Sequence, residues 1–129
     1  MNKKEKNKEY QKKYRNTNYG RVKVKERMEE YQKSPNGVFS IYQANARRRF
    51  LLWDLSFEEF MMFWQKPCSY CGDKIKTIGL DRIDSGEGYN INNVVPCCTK
   101  CNKMKSLMHR DEFLNYCRKI IANYNLYND

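Results

Sequence analysis

The chain has 129 residues, 25 Lys and Arg against 15 Asp and Glu, a formal net charge of +10 and a pI near 9.4. That length fits one small domain with extensions, and so short a chain buries so little apolar surface that a metal or disulfide staple is expected. No run of about 18 apolar residues is present, which excludes a membrane-spanning helix and turns the basic charge toward a polyanion, nucleic acid first and an acidic membrane surface second.

The charge is concentrated at the start. Residues 1–33 hold 12 Lys/Arg and 5 Asp/Glu, a net of +7, whereas residues 34–67 carry +1 and residues 68–129 carry +2. Met1-Asn2-Lys3-Lys4-Glu5-Lys6 leads into no apolar stretch, so no secretory signal is read and a cytoplasmic, reducing location is expected. Tyr10 and Tyr14 lie four apart in a Lys-rich run, and Val24, Met28 and Tyr31 follow at helical spacing. Asn16 to Gly20 and the stronger Ser34-Pro35-Asn36-Gly37 read as breaks. The apolar stripes are thin, so these helices are expected to order on a partner. The competing reading is a solvated charged tail. No fixed-period internal repeat is read.

A third helix is expected from Gly37 to Arg49, ending in the basic cluster Arg47-Arg48-Arg49, followed by the apolar run Phe50 to Trp53. Ser56 and Glu59 fit a capping box, and Phe57, Phe60, Met61 and Trp64 form one apolar helix face, ended by Pro67. That stripe is read as core packing. Beyond it, Cys68 to Gly72 reads as a turn, Gly79 to Asp84 as a strand, Ser85 to Gly88 as a loop and Asn93 to Pro96 as a second strand. Helices follow from about Cys98 to Ser106 and then over a stretch placing Phe113, Cys117, Ile120, Ile121 and Tyr124 on one face.

The chemistry lies in the cysteines. Cys68-x2-Cys71 is separated by 26 residues from Cys98-x2-Cys101. Two such pairs in a reducing compartment have the spacing of a structural Zn²⁺ site, with two sulfurs from each tight turn on one tetrahedral ion. The alternatives are four buried free thiols or a redox pair. Cys97 and Cys117 read as small core residues. A site that joins the two pairs also draws Asp81 toward Asn102, which directly follows Cys101. A carboxylate and an amide oxygen suit Mg²⁺ or Mn²⁺ and leave positions open for phosphate and water. Taken alone, Asn102 equally fits a residue bonding backbone at a helix start.

Cys68-Ser69-Tyr70-Cys71-Gly72, Leu80-Asp81-Arg82-Ile83-Asp84, Gly88-Tyr89, Asn93 to Cys98 and Cys101-Asn102-Lys103-Met104-Lys105 together resemble the HNH, or ββα-metal, endonucleases. More narrowly they resemble those with two zinc-binding CxxC pairs found in phage endonuclease VII and in phage and mobile elements. The resemblance covers roughly residues 50–124. It implies an α+β fold with a small ββα-metal core stapled by Cys68, Cys71, Cys98 and Cys101. It places catalytic-metal ligands at Asp81 and Asn102, a loop-bracing amide at Asn93, and Arg82 where the general-base histidine of the family stands. Lys103 and Lys105, with Arg47, Arg48 and Arg49, are the expected DNA contacts. The expected organisation is a basic, mostly helical arm over 1–49 and a nuclease-like domain over 50–129.

The function expected from this reading is metal-dependent phosphodiester hydrolysis in DNA, the alternative being an inactive zinc-stapled nucleic-acid-binding module. Arginine at position 82 cannot accept a proton. Asp84 is expected either to accept it or to pair with Arg82. His109, the single histidine, is read as a residue at the start of the last helix.

Overall fold

The structure, a computed structural model, describes residues 1–128 and falls into two compact units, Met1–Ile41 and Tyr42–Asp129. The fold is α+β. In the first unit, α1 (Lys3–Arg15) starts at Asn2, whose side chain and that of Glu5 close a capping box. Thr17 caps α2 (Asn18–Lys33); α3 (Pro35–Arg48) follows after Ser34 and carries the chain from the first unit into the second.

The two breaks between these helices are built alike, although no fixed-period repeat runs through the chain's sequence. Tyr14-x2-Thr17-x2-Gly20 recurs as Tyr31-x2-Ser34-x2-Gly37. In each, the hydroxyl donates to the tyrosine carbonyl and accepts from the glycine N–H. A Cβ at Gly20 would lie 1.9 Å from Tyr14 O, and one at Gly37 would lie 1.7 Å from Tyr31 O. Only glycine admits that approach. The repeat escapes a reading by periodicity because only three positions recur, with unrelated residues between them.

The second unit holds two small sheets. β1 (Trp53–Asp54) pairs in parallel with β3 (Tyr89–Asn90), and β2 (Leu80–Arg82) pairs antiparallel with β4 (Val94–Pro96), with Asp81 opposite Val95. α5 (Thr99–Lys105) follows β4 directly, and α6 (Arg110–Asn128) ends the described chain. The two predicted strands are therefore present as β2 and β4. The β1–β3 pair is new: two-residue strands are too short to show a period of two.

An aromatic cluster carries the core of this unit. Phe60, on α4 (Phe57–Met61), is 0% exposed. Around it, Tyr42, Trp53 and Tyr89 stack with ring centroids 5.1–6.4 Å apart. Ser56 and Glu59 form the expected capping box. The helix stops at Met61 instead of reaching Pro67; turns follow, with Gln65 at φ +55°. The predicted face of α6 also differs. Phe113 is buried against Tyr70, with centroids 5.5 Å apart, but Ile120, Ile121 and Tyr124 are exposed. Helical spacing marks a stripe without saying how far along it a core extends.

Truncating Phe60 removes the buried ring on which Tyr42 and Trp53 pack. Phe60→Ala is expected to cost about 3–5 kcal/mol, seen as a lower midpoint in urea unfolding of the zinc-loaded protein; a loss under about 1 kcal/mol would show that the cluster is not the core.

Candidate metal centre and adjoining cleft

The first CxxC pair sits on a tight turn. Cys68 N–H donates to Asp73 O, Gly72 N–H donates to Cys68 O, and Gly72 takes φ +79°. Ser69 N–H donates to Pro96 O at 2.8 Å and ties this turn to the end of β4. The second pair begins where β4 hands over to α5. Cys98 caps that helix, its sulfur accepting from Cys101 N–H at 3.4 Å.

The four sulfurs of Cys68, Cys71, Cys98 and Cys101 consequently lie within 4.8 Å of one another, with Cys71 and Cys98 Sγ 3.7 Å apart. Four thiolates at ~2.3 Å from a tetrahedral Zn²⁺ stand ~3.8 Å apart, so the donor set fits a zinc ion in both chemistry and spacing. Burial pushes the Cys68 thiol up, but the N–H groups of Cys71, Cys98 and Tyr70 outweigh it and bring the pKa to about 6. Burial raises the Cys101 thiol well above its usual range. Cys97 is buried among these cysteines yet outside the ligand set, its thiol raised to about 12 by burial and then by the Asp81 carboxylate. Cys117 also lies outside the set and is half-buried.

Beside the cysteines opens a cleft of about 300 Å³, lined by Arg49, Asp81, Arg82, Asn102, Lys103 and Ser106 among others. β2 delivers Asp81 and Arg82, and α5 delivers Asn102 and Lys103 directly after the last cysteine. Asp81 is 5% exposed. Its Oδ2 accepts from Tyr70 OH at 2.7 Å, and its Oδ1 faces Lys105 Nζ at 3.3 Å. Burial and then the Asp81 carboxylate hold the Tyr70 phenol protonated, far above its ordinary range. Each carboxylate oxygen retains a second lone pair. Asp81 with the exposed Asn102 thus remains a hard-oxygen pair that fits Mg²⁺ or Mn²⁺, the rest of the shell coming from water and phosphate.

Several expected site residues stand differently. Lys105 is 0% exposed and donates to Asp81 and to Arg82 O; it is therefore corrected from a phosphate contact to a buried counter-charge beneath the cleft. Arg82 is buried, with Nη1 donating to Ser85 O and Glu87 O, both at 2.7 Å, and its guanidinium lies 5.5 Å from the centre of the Tyr89 ring. Asp84 is not its ion-pair partner: the Asp84 carboxylate accepts from Gly86 N–H and closes the turn. Asn93 is buried, its side chain accepting from Asp84 N–H and donating to Asp84 O and Gly88 O. It fastens both ends of the loop between β2 and β3. Arg47 and Arg48 are exposed and do not line the cleft. His109 sits at the start of α6, its Nδ1 accepting from Asp111 N–H.

Sequence reasoning missed Tyr70 and Lys105 as partners of Asp81. Tyr70 carried one signal, its place between two zinc cysteines. Lys105 looked like any surface lysine, because burial of an ammonium shows only once its partners are in place.

No protein-family model matches the chain. It is 32% identical over 123 residues to "Uncharacterized protein R423" of Acanthamoeba polyphaga mimivirus; the match covers 83% of this chain and 23% of that protein. The structure is similar to that of the rare-cutting HNH restriction endonuclease PacI, with a TM-score of 0.57 and 22% identity over 74% of this chain and 82% of that one. The chain thus shares the fold of an HNH endonuclease, as its motifs implied.

Cys98→Ser should abolish zinc uptake and cooperative unfolding, whereas Cys117→Ser should keep both, because only Cys98 belongs to the sulfur cluster. Elemental analysis with thermal melts checks this; well-folded wild-type protein devoid of zinc would contradict the assignment.

Proposed function

We propose that the chain is an HNH-type, metal-dependent DNA endonuclease. One observation carries the reading: a buried carboxylate, a helix-borne amide and two basic side chains (Asp81, Asn102, Arg49 and Lys103) line a single cleft beside a four-cysteine cluster. The fold shared with an HNH restriction endonuclease supports it. Asp81 and Asn102 would hold the divalent ion, which when bound neutralises charge developing on the scissile phosphate. Arg49 and Lys103 grip flanking phosphate oxygens. Arg82 has five N–H donors by its chemistry and directs Nη1 at two carbonyls; its remaining donors are available to a phosphate oxygen. In the reaction, water oxygen bonds to phosphorus and the bond to the leaving 3′-oxygen breaks. Arg82 cannot accept the proton that the water loses, so that proton passes to solvent water and the leaving 3′-oxygen takes one from solvent in turn. The narrower likeness to phage and mobile-element nucleases belongs to the same proposal.

A second reading is favoured by the Lys105 contact. An ammonium beside Asp81 already neutralises the carboxylate and weakens its hold on a second cation. Such a chain is a zinc-stapled nucleic-acid-binding module that does not cut.

Plasmid cleavage in Mg²⁺ or Mn²⁺ against EDTA separates the two. Nicking or linearisation that EDTA stops is expected, together with at least a ~100-fold loss in Asp81→Ala and Asn102→Ala while zinc content and DNA binding persist. Wild-type protein that binds but never cuts would establish the binding module. A fully active Asp81→Ala protein would show that the metal site is elsewhere.

The arm supplies sequence-independent affinity in either reading. Removing residues 1–33, net +7, should weaken DNA binding and flatten its salt dependence, by about 0.9 in the log–log slope for each phosphate that the arm had neutralised. An unchanged slope in titrations at several salt concentrations would exclude the arm from the DNA interface.

A further inference from the structure

α3 closes with Phe50 N–H donating to Arg47 O at 3.1 Å and Leu51 N–H donating to Ala46 O at 2.9 Å. This pair of bonds is the Schellman closure, which sets the residue at Phe50 in the left-handed region, here φ +56°. Glycine normally stands there because a side chain with a Cβ is strained. Phe50 carries that strain and gains nothing from it within the protein. It is 97% exposed, and Leu52 beside it is 82% exposed. Among the described residues no ring or cation packs on it. A large apolar ring exposed to water, on a backbone that the helix closure fixes at an unfavourable φ, breaks two local rules at once. Such violations collect at functional sites.

The surroundings say what the ring meets. On one side Arg49, its neighbour in sequence, lines the cleft with Asp81 and Lys103. On the other, Phe50 and Leu52 line a second depression of about 700 Å³ shared with Asp54, Glu87 and Asn92. Tyr89 borders both. The first side attracts phosphate. The second repels it, yet its carboxylates accept hydrogen bonds from the exocyclic amines of nucleobases. Phe50 stands where backbone and base of one strand would part.

We propose that Phe50, backed by Leu52, is a stacking platform for a nucleobase drawn out of the strand whose phosphate occupies the Asp81 cleft. This rests on the nucleic-acid reading of that cleft. Aromatic stacking of this kind tolerates any base, because every base has a π-face, and apolar side chains of this type also wedge between base steps.

The test uses the full zinc-loaded chain with a labelled duplex and a labelled single strand, in Phe50→Gly and Phe50→Trp, with binding measured across several salt concentrations. Phe50→Gly relieves the strain, so its melting temperature should rise by a few degrees. Its affinity should nevertheless fall about 5- to 100-fold, with an unchanged salt slope because no charge is removed. Phe50→Trp should keep wild-type affinity. Phe50→Gly protein that binds as tightly as wild type would overturn the proposal while leaving the nucleic-acid reading standing. So would a loss that comes with a shallower salt slope, or with a changed oligomeric state in sedimentation, which would make Phe50 a contact to a second copy. Wild-type protein that binds neither oligonucleotide would sink the proposal and the reading it rests on together.

Discussion

The constraint on which the second unit depends is the convergence of four thiols to within 4.8 Å of one another, the spacing at which one bound metal ion would fasten them. They join a tight turn at Cys68–Cys71 to the junction of β4 and α5, two segments that no extended sheet connects. β2 and β4 contribute three residues each, too few to be stable as an isolated pair. Two main-chain bonds lie close to the sulfurs, Ser69 N–H on Pro96 O and Cys97 N–H on Gly79 O, and the Cys98 sulfur itself caps α5. A cation bound there contributes directly to folding, because the four ligands converge only in the folded chain. The aromatic cluster around Phe60 supplies the rest of the core.

The cleft inherits its geometry from that fastening. Asn102 follows Cys101 by one residue and Asp81 lies on β2 opposite β4, so drawing the cysteines together sets the carboxylate and the amide in one cleft. Asn93 and Arg82 then hold the loop between β2 and β3 from inside, both by bonding main-chain carbonyls. The resemblance to HNH endonucleases implies a histidine at position 82; the Arg82 side chain that stands there is engaged in holding a loop. Lys105 adds a positive charge beneath the cleft without reaching its surface. The cost of burying that ammonium is offset by Asp81 and Arg82 O. In the proposed function, this internal cation opposes any external one that Asp81 would hold.

Much of this was legible in the sequence because it depends on short spacings. The CxxC pairs, the Ser56–Glu59 capping box and the two segments that became β2 and β4 follow from local chemistry, and the α+β class from the resemblance that the combined motifs carry. What failed depends on tertiary surroundings. Lys103 and Lys105 are two residues apart on one helix; one lines the cleft and the other is buried, and no spacing rule separates them. The run Phe50 to Trp53 reads in sequence only as apolar, yet its residues part: Phe50 and Leu52 are exposed while Trp53 packs in the aromatic cluster. The Tyr-x2-Ser/Thr-x2-Gly repeat became visible only once its identical hydrogen bonds could be laid side by side.

Anomalous X-ray diffraction from crystals of the full chain grown with zinc and soaked in Mn²⁺ tests the central claim most directly. One zinc peak is expected enclosed by the sulfurs of Cys68, Cys71, Cys98 and Cys101, and one manganese peak in the neighbouring cleft in contact with Asp81 and Asn102. A chain folded as described with no zinc among those sulfurs, or manganese bound away from Asp81, would contradict it.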